Sequence, residues 1–344
     1  MGNITIRILA RQLQLSAATV SKALTDSHEI SEKTKQRVLA LAAELNYTPN
    51  PYASGLRKKK SKTIAVILPE VADSFFAQVI DGIESVAQEK GYHVLIRLTH
   101  ENFPKEQAIL KDLQGGRADG VLMSVSSATS ESSHIRELQE KGVLLVFFDR
   151  VCEDINAAKV VTDDQDSAYK ATQHLISRGC QRIALLSIST VLSISQQRLE
   201  GFKKALGDHH LPFREQDIIS CSHDPVANHG LLMQTMQRPD RPDGIIATVE
   251  KLATSVYQVC HELKIGIPGQ VKVIGFSNLP TAMFLAPSLS TVTQPAFEMG
   301  KMAASLLVKA LENDRFDLSG QHPVIPSLLM VRDSTGGAGP SEQS

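Results

Sequence analysis

Tryptophan is absent from this chain of 344 residues, aromatic residues make up 5%, and 36 Lys and Arg nearly cancel 37 Asp and Glu. The longest unbroken apolar runs, Val38–Ala43 and Val143–Phe148, are six residues each, whereas a spanning helix needs about 18. The N-terminus lacks an apolar segment of signal-peptide length, and Ile6 stands where a myristoylation start carries Ser or Thr. We therefore expect a cytoplasmic protein with no membrane contact. Cys152, Cys180, Cys221 and Cys260 lie 28 to 41 residues apart with no C-x-x-C pair. That spacing favours reduced thiols over a disulfide framework or a metal site. No G-x-G-x-x-G, Walker, H-E-x-x-H or G-x-S-x-G motif occurs. Neither cofactor nor metal is expected. Asp163-Asp164 and His209-His210 can be read as acid/base groups, but the histidines lie in a polar turn before Pro212, and catalysis is not expected. What remains is an ordinary globular composition, 42% apolar and 21% charged, long enough for two or three domains.

The net charge of −1 hides a division. Residues 1–62 hold eleven Lys and Arg against four acids, a charge of +7, which leaves −8 on the rest. A small basic unit joined to a large acidic one suggests a polyanion-binding head on a body with another task.

The head reads as three short helices. Thr5 can cap the first, with Ile6, Leu9, Ala10 and Leu13 at helical spacing; Ser16 caps a second, Ala17–Leu24, with Val20 and Leu24 inward. Ser31 caps a third carrying Val38, Leu41, Ala42 and Leu45, and Pro49 and Pro51 stop it. Two helices joined by a tight turn describe a helix-turn-helix, although periodicity alone leaves a plain three-helix bundle equally open. The second helix opens on Ala17 and Ala18, followed by Thr19, Ser21 and Lys22. Small residues let a helix N-terminus sink into the major groove, where methyl and hydroxyl groups meet bases and phosphates.

The run Leu15-Ser16-Ala17-Ala18-Thr19-Val20-Ser21-Lys22-Ala23-Leu24 resembles the helix-turn-helix of the lactose-repressor (LacI/GalR) family. So do Leu45-Asn46-Tyr47-Thr48-Pro49-Asn50, Ala53 and Leu56, then Ser74-Phe75-Phe76, Asp149-Arg150, Arg198 to Phe202, Gly275-Phe276 and Pro287 to Val292. The resemblance spans residues 4 to about 333. It implies operator DNA as partner, with Thr5, Ser16, Ala17, Ala18, Thr19, Ser21, Lys22, Asn50, Ala53, Leu56 and Lys59 at the interface. Residues 51–62 alone read as a solvated linker; the resemblance instead implies a hinge helix that forms on DNA, with Leu56 as a minor-groove wedge. Three positions depart from the family. Gln14 replaces the turn glycine and is expected to need a different turn backbone; Lys22 and Ser54 replace arginines.

The body alternates apolar strands with helices twice over, which means two parallel sheets, each covered on both faces. The fold class is therefore α/β, a small all-α head on a two-lobed, periplasmic-binding-protein-like body of doubly wound sheets. We expect the head over 1–48, a hinge over 49–62, the body over 63–333 and a disordered tail over 334–344. Lobe 1 should take about 63–161 and 294–320, and lobe 2 about 162–293 and 321–333. A head of this size reads only a half-site, so a homodimer is expected.

Ligands of doubly wound sheets sit beyond the carboxyl ends of the strands, which points to the crevice between lobes. The resemblance implies a small carbohydrate-like effector there, held by Arg198, with Asp149, Asp73, Ser74, Phe75 and Gln294 as further candidates. Phe75 could stack on a sugar ring or fill the core. Val249-Glu250 and Ser277 stand where many members have Asn-Asp and Asp, so two usual hydroxyl-binding groups are missing. That loss, with Arg198 kept, would tilt the crevice positive and admit a sugar acid. The sequence thus describes a transcription regulator, a repressor of carbohydrate genes under effector control; the alternative is a DNA-binding protein with a vestigial crevice.

Overall fold

The computed structural model describes residues 4–47 and 61–336. The chain forms two units, one up to Ser61 and one from Lys62 onward.

In the first unit, α1 (Ile6–Leu13), α2 (Ala17–Leu24) and α3 (Glu32–Glu44) enclose buried Leu9, Ala10, Val20, Ala23, Val38 and Ala42. The stripes expected from spacing are the ones that meet. The Ser16 hydroxyl accepts from the Thr19 amide at 3.0 Å and the Ser31 hydroxyl from Thr34 at 3.4 Å, satisfying otherwise orphaned N–H groups. Thr5 sits at the start of α1, but its side chain makes no capping bond. Gln14 corrects an expectation: its φ of 53° and ψ of 40° are the left-handed conformation a glycine would adopt. The turn backbone is kept, at the steric cost a side chain carries there.

The second unit has two lobes. Lobe 1 runs β1 (Thr63–Leu68), α4 (Ser74–Glu89), β2 (His93–Leu98), α5 (Phe103–Leu113), β3 (Gly120–Met123), α6 (Ser133–Glu140), β4 (Leu144–Phe148) and β5 (Ala158–Thr162). Lobe 2 runs α7 (Asp164–Ser177), β6 (Ile183–Ser187), α8 (Ser193–Asp208), β7 (Ile218–Ser220), α9 (Pro225–Gln237), β8 (Gly244–Ala247), α10 (Glu250–Glu262), β9 (Lys272–Phe276) and β10 (Ser290–Thr293). The chain then returns through α11 (Ala296–Glu312) and β11 (Val324–Ile325) before crossing to β12 (Leu328–Met330). The strand orders are β11-β5-β4-β3-β1-β2 and β12-β10-β9-β8-β6-β7. Every pairing is parallel except that of β12 with β10. Strands β1, β3, β6 and β8 are buried along their whole length, as continuous apolar runs with helices on both faces require.

Three boundaries need correction. Val324 and Ile325 pair with Val161 and Thr162, so 321–325 belongs to lobe 1 and not to lobe 2. Ser334 and Thr335, expected in a disordered tail, are wholly buried, and the Ser334 hydroxyl donates to the Val273 carbonyl at 2.6 Å. Lys62, expected in the hinge, is anchored on the body: its amide donates to Asp119 at 2.9 Å. The rest of the tail lies outside the described residues.

Helix pairs close each lobe at glycines. A Cβ on Gly82 of α4 would lie 2.1 Å from the Phe297 carbonyl, and one on Gly300 of α11 2.1 Å from that of Val79. These two helices pack backbone to backbone. The same holds for Gly201 of α8, whose Cβ would lie 2.0 Å from the Gln165 carbonyl on α7. Cys180, Cys221 and Cys260 are buried, and burial pushes their thiols up to about 12, 11 and 11. No described helix is long and apolar enough to cross a membrane.

Candidate functional site

In the head, the candidate contact residues are surface groups. Thr5, Ser16, Ala17, Ala18 and Lys22 are exposed, and Thr19 and Ser21 are half-buried. Ala17 and Ala18 stand bare on the first turn of α2 while Val20 and Ala23, on its other face, fill the core. The helix can therefore enter a groove without disturbing its own packing. Lys22 ion-pairs with Glu29 across the surface, a contact between two solvated groups that a phosphate can replace. Asn50, Ala53, Leu56 and Lys59 lie outside the described residues.

In the body, the candidates converge on the boundary between lobes. Asp73, Phe75, Asp149, Arg198, Glu250, Ser277 and Gln294 line one small cavity. Arg198 rises from α8, 2% exposed, and corrects the picture of a free clamp. Its Nε donates to Asp164 at 2.7 Å, Nη1 donates to the Thr248 carbonyl at 2.5 Å, and the guanidinium lies 4.0 Å over the Phe276 ring. Asp163-Asp164, which could be read as acid/base groups, is thereby structural. Asp164 holds Arg198, and Asp163 accepts from the Ser167 hydroxyl and the Ser327 amide.

Asp149 follows β4 at φ 59°, a left-handed backbone uncommon for a side-chain-bearing residue. It is 5% exposed, and among the described residues no donor lies within hydrogen-bond distance of its carboxylate; Arg150 Nε stands 3.9 Å away. Desolvation outweighs the nearby arginines and holds the acid up at about 6. Asp73 caps α4 by accepting from the Phe75 amide at 2.9 Å. Burial first and the Glu250 charge second raise it to about 6 as well. Phe75 belongs to the core, edge-on to Phe76 with ring centres 5.3 Å apart, and also lines the cavity.

Glu250 and Ser277 do not leave a gap where Asn-Asp and Asp are usual. The Glu250 carboxylate accepts from the Ser277 hydroxyl at 2.9 Å and from the Ser74 hydroxyl, which joins lobe 2 to lobe 1. Gln78 and Asn278 form a second bridge through a 2.9 Å side-chain bond, and Lys251 with Glu70 a third at 3.0 Å. Gln294, at the crossing, donates to Thr162 at 3.3 Å, so the two crossing strands are tied together. The expected positive tilt is not found: Asp73, Asp149 and Glu250 face Arg150 and Arg198, both already ion-paired, Arg150 with Glu101 at 2.7 Å. That pairing outweighs desolvation and holds Glu101 down at about 2. Glu101, Asp164, Thr248 and Asn278 were not singled out as site residues from the sequence. Only the acidic pair drew attention to Asp164.

With the lobes in contact, this cavity measures about 30 Å³, room for a water or two against the roughly 300–1,000 Å³ of ordinary ligand sites. Two larger spaces, of about 190 Å³ and 310 Å³, share wall residues with it. Asp73 and Glu250 stand in the wall shared with the first, and Asp149 in the wall shared with the second.

The model of bacterial regulatory proteins of the lacI family matches residues 5–50, and that of a periplasmic binding protein-like domain matches 172–335. Catabolite control protein A of Priestia megaterium is 28% identical over 334 residues, 97% of this chain and 99% of the relative. A ribose operon repressor of Halalkalibacterium halodurans is 29% identical over 340 residues, 99% of each chain. Among solved structures, the lac repressor dimer bound to operator and the anti-inducer ONPF shares the fold with a TM-score of 0.82 at 21% identity, covering 97% of this chain and 99% of that one. A DNA-binding head of one family model, a two-lobed body of the other, and end-to-end similarity to repressors together place the chain in the LacI/GalR family of DNA-binding transcriptional regulators.

Proposed function

We propose that the protein is a homodimeric repressor of carbohydrate-metabolism genes that binds a near-palindromic double-stranded operator and answers to a small hydroxyl-rich effector held between the lobes. The domain plan is a head over 1–48, a hinge through Ser61 and a two-lobed body beyond. The observation that carries the effector reading is Asp149, a buried carboxylate facing the interlobe cavity that accepts no hydrogen bond among the described residues and has only the Arg150 guanidinium, 3.9 Å away, beside it. Buried polar groups are almost always paired, and an unpaired one in a cleft is a ligand-site signature. Two relatives named ribose operon repressor support control of sugar genes. Dimerisation is supported by the size of the head, which reads only a half-site, so that two copies are needed on one operator.

The effector works by favouring one lobe arrangement. The Ser74–Glu250, Gln78–Asn278 and Glu70–Lys251 bridges favour closure, and a ligand shifts that balance only through different affinity for the two arrangements. The small volume of the central cavity is what favours the alternative of a vestigial crevice. Binding-site selection on random duplexes, followed by operator titrations across a sugar panel, decides between them. A ligand that changes operator affinity supports the regulator; constant affinity across the panel supports the vestigial crevice.

A further inference from the structure

We propose that the effector is a cation, a small polyhydroxylated amine of the amino-sugar or aminopolyol type, whose ammonium group pairs with Asp149. This rests on the crevice being an effector site, as argued above.

The charge inventory comes first. Across the three adjoining cavities, eight carboxylates and three cationic side chains stand in the walls, and two of the carboxylates, Glu153 and Asp166, pair with Lys159 and Lys170 from outside them. Arg150 binds Glu101 at 2.7 Å, Arg198 binds Asp164 at 2.7 Å, and Lys251 binds Glu70 at 3.0 Å. Arg150, already bound to Glu101, stands 3.9 Å from Asp149 and shares the central cavity with the three carboxylates Asp73, Asp149 and Glu250. Asp149 is the sharpest case, 5% exposed and set in the wall between two of the cavities. Its left-handed backbone, with φ of 59°, is the kind of local strain that persists where the surroundings hold a group in place for a task.

A buried carboxylate needs both hydrogen bonds and countercharge. A neutral hydroxyl supplies the first only; an ammonium supplies both in one charge-assisted contact. An acidic ligand would add a further uncompensated negative charge. At neutral pH acids that titrate near 6 are mostly ionised, so the carboxylates outnumber the arginine charge available to them under working conditions.

The test measures binding to the full-length chain by calorimetry and thermal shift. The probes are glucosamine, galactosamine and N-methylglucamine, beside their neutral partners glucose, galactose and sorbitol, the N-acetylated hexosamines and gluconate. At least one amine should bind about tenfold more tightly than its neutral partner and its acetylated form. Asp149→Asn should remove that advantage. If its unfolding profile shows a damaged fold, Asp73→Asn serves as the second variant and should reduce it. Equal or tighter binding of a neutral sugar, preference for gluconate, or no binding of any amine overturns the proposal. In the first two cases a change in operator affinity on ligand addition keeps the effector reading and removes only the charge class. Silence of every probe in both assays removes the effector reading too.

Discussion

The head and the crevice deploy polar side chains in opposite ways. On α2 the candidate groups for DNA lie exposed or half-exposed, and the apolar residues behind them make a separate small core. In the crevice most polar groups are buried and interlocked across a lobe or a sheet, while Asp73 holds only its own helix and Asp149 accepts no hydrogen bond among the described residues. The difference follows from the partner. A duplex is large, brings a dense row of charge and can be met by a surface that stays solvated until contact. A metabolite is small and must be wrapped to be felt, so its site has to be built from desolvated groups whose cost is offset by pairing. A solvated surface tolerates substitution, whereas a buried network does not.

The largest test of this contrast separates the two regions. Deleting residues 1–61 should abolish operator binding and leave a body that unfolds cooperatively, since Lys62 onward forms its own unit. Calorimetry and gel shift on the truncated chain check it, and residual operator affinity would break the division. Next, Arg198→Ala should destabilise the body by about 3–5 kcal/mol, because it strands Asp164 as a buried charge beside the Thr248 carbonyl. Denaturant titration reads the loss; near-normal stability would mean the ion pair is not holding the lobe.

Smaller effects come from the strained acid. The folded-state pKa of Asp149, about 6, lies above the 3.8 of the unfolded chain. The unfolded state therefore ionises first, and stability falls as pH rises from about 4 through 6 and stays lower above. Asp149→Asn should thus raise stability at pH 7.5 by roughly 2–3 kcal/mol and leave it unchanged near pH 4. Glu101 runs the other way. Held near 2 against an ordinary 4.5 by Arg150 and hydrogen bonds that outweigh its desolvation, it stabilises above about 4.5, and that contribution is lost as pH falls through 2. Unfolding curves for the wild type, Asp149→Asn and Glu101→Gln across pH 3 to 8 separate the two.

The smallest effects fall on the head. Lys59→Ala should weaken binding to all duplexes alike and lower the salt slope by about one, as a phosphate contact does, without changing base preference. Ala18→Leu should change base preference with little effect on that slope. Binding-site selection with both variants reads the outcome, and the reverse pattern would break the proposed docking of α2.

Local chemistry was legible from the chain because its causes lie within a few residues. Ser16 and Ser31 cap helices three residues ahead, and Val20, Val38 and Ala42 face inward because helical spacing puts them there. The alternation of apolar strands with helices likewise announced two parallel sheets. Helix α9 was not legible, since the Pro225–Gln237 segment carries no clear apolar stripe. The tertiary structure alone decided which polar groups meet. Arg198 finds Asp164, 34 residues away, and Glu250 finds Ser74, 176 residues away, because the crossovers bring strand ends from both lobes to one boundary. It also decided the sign of the crevice. A net count along the chain shows how many charges there are, whereas burial and pairing decide which are cancelled, and here they leave the carboxylates of Asp73, Asp149 and Glu250 facing the cavity.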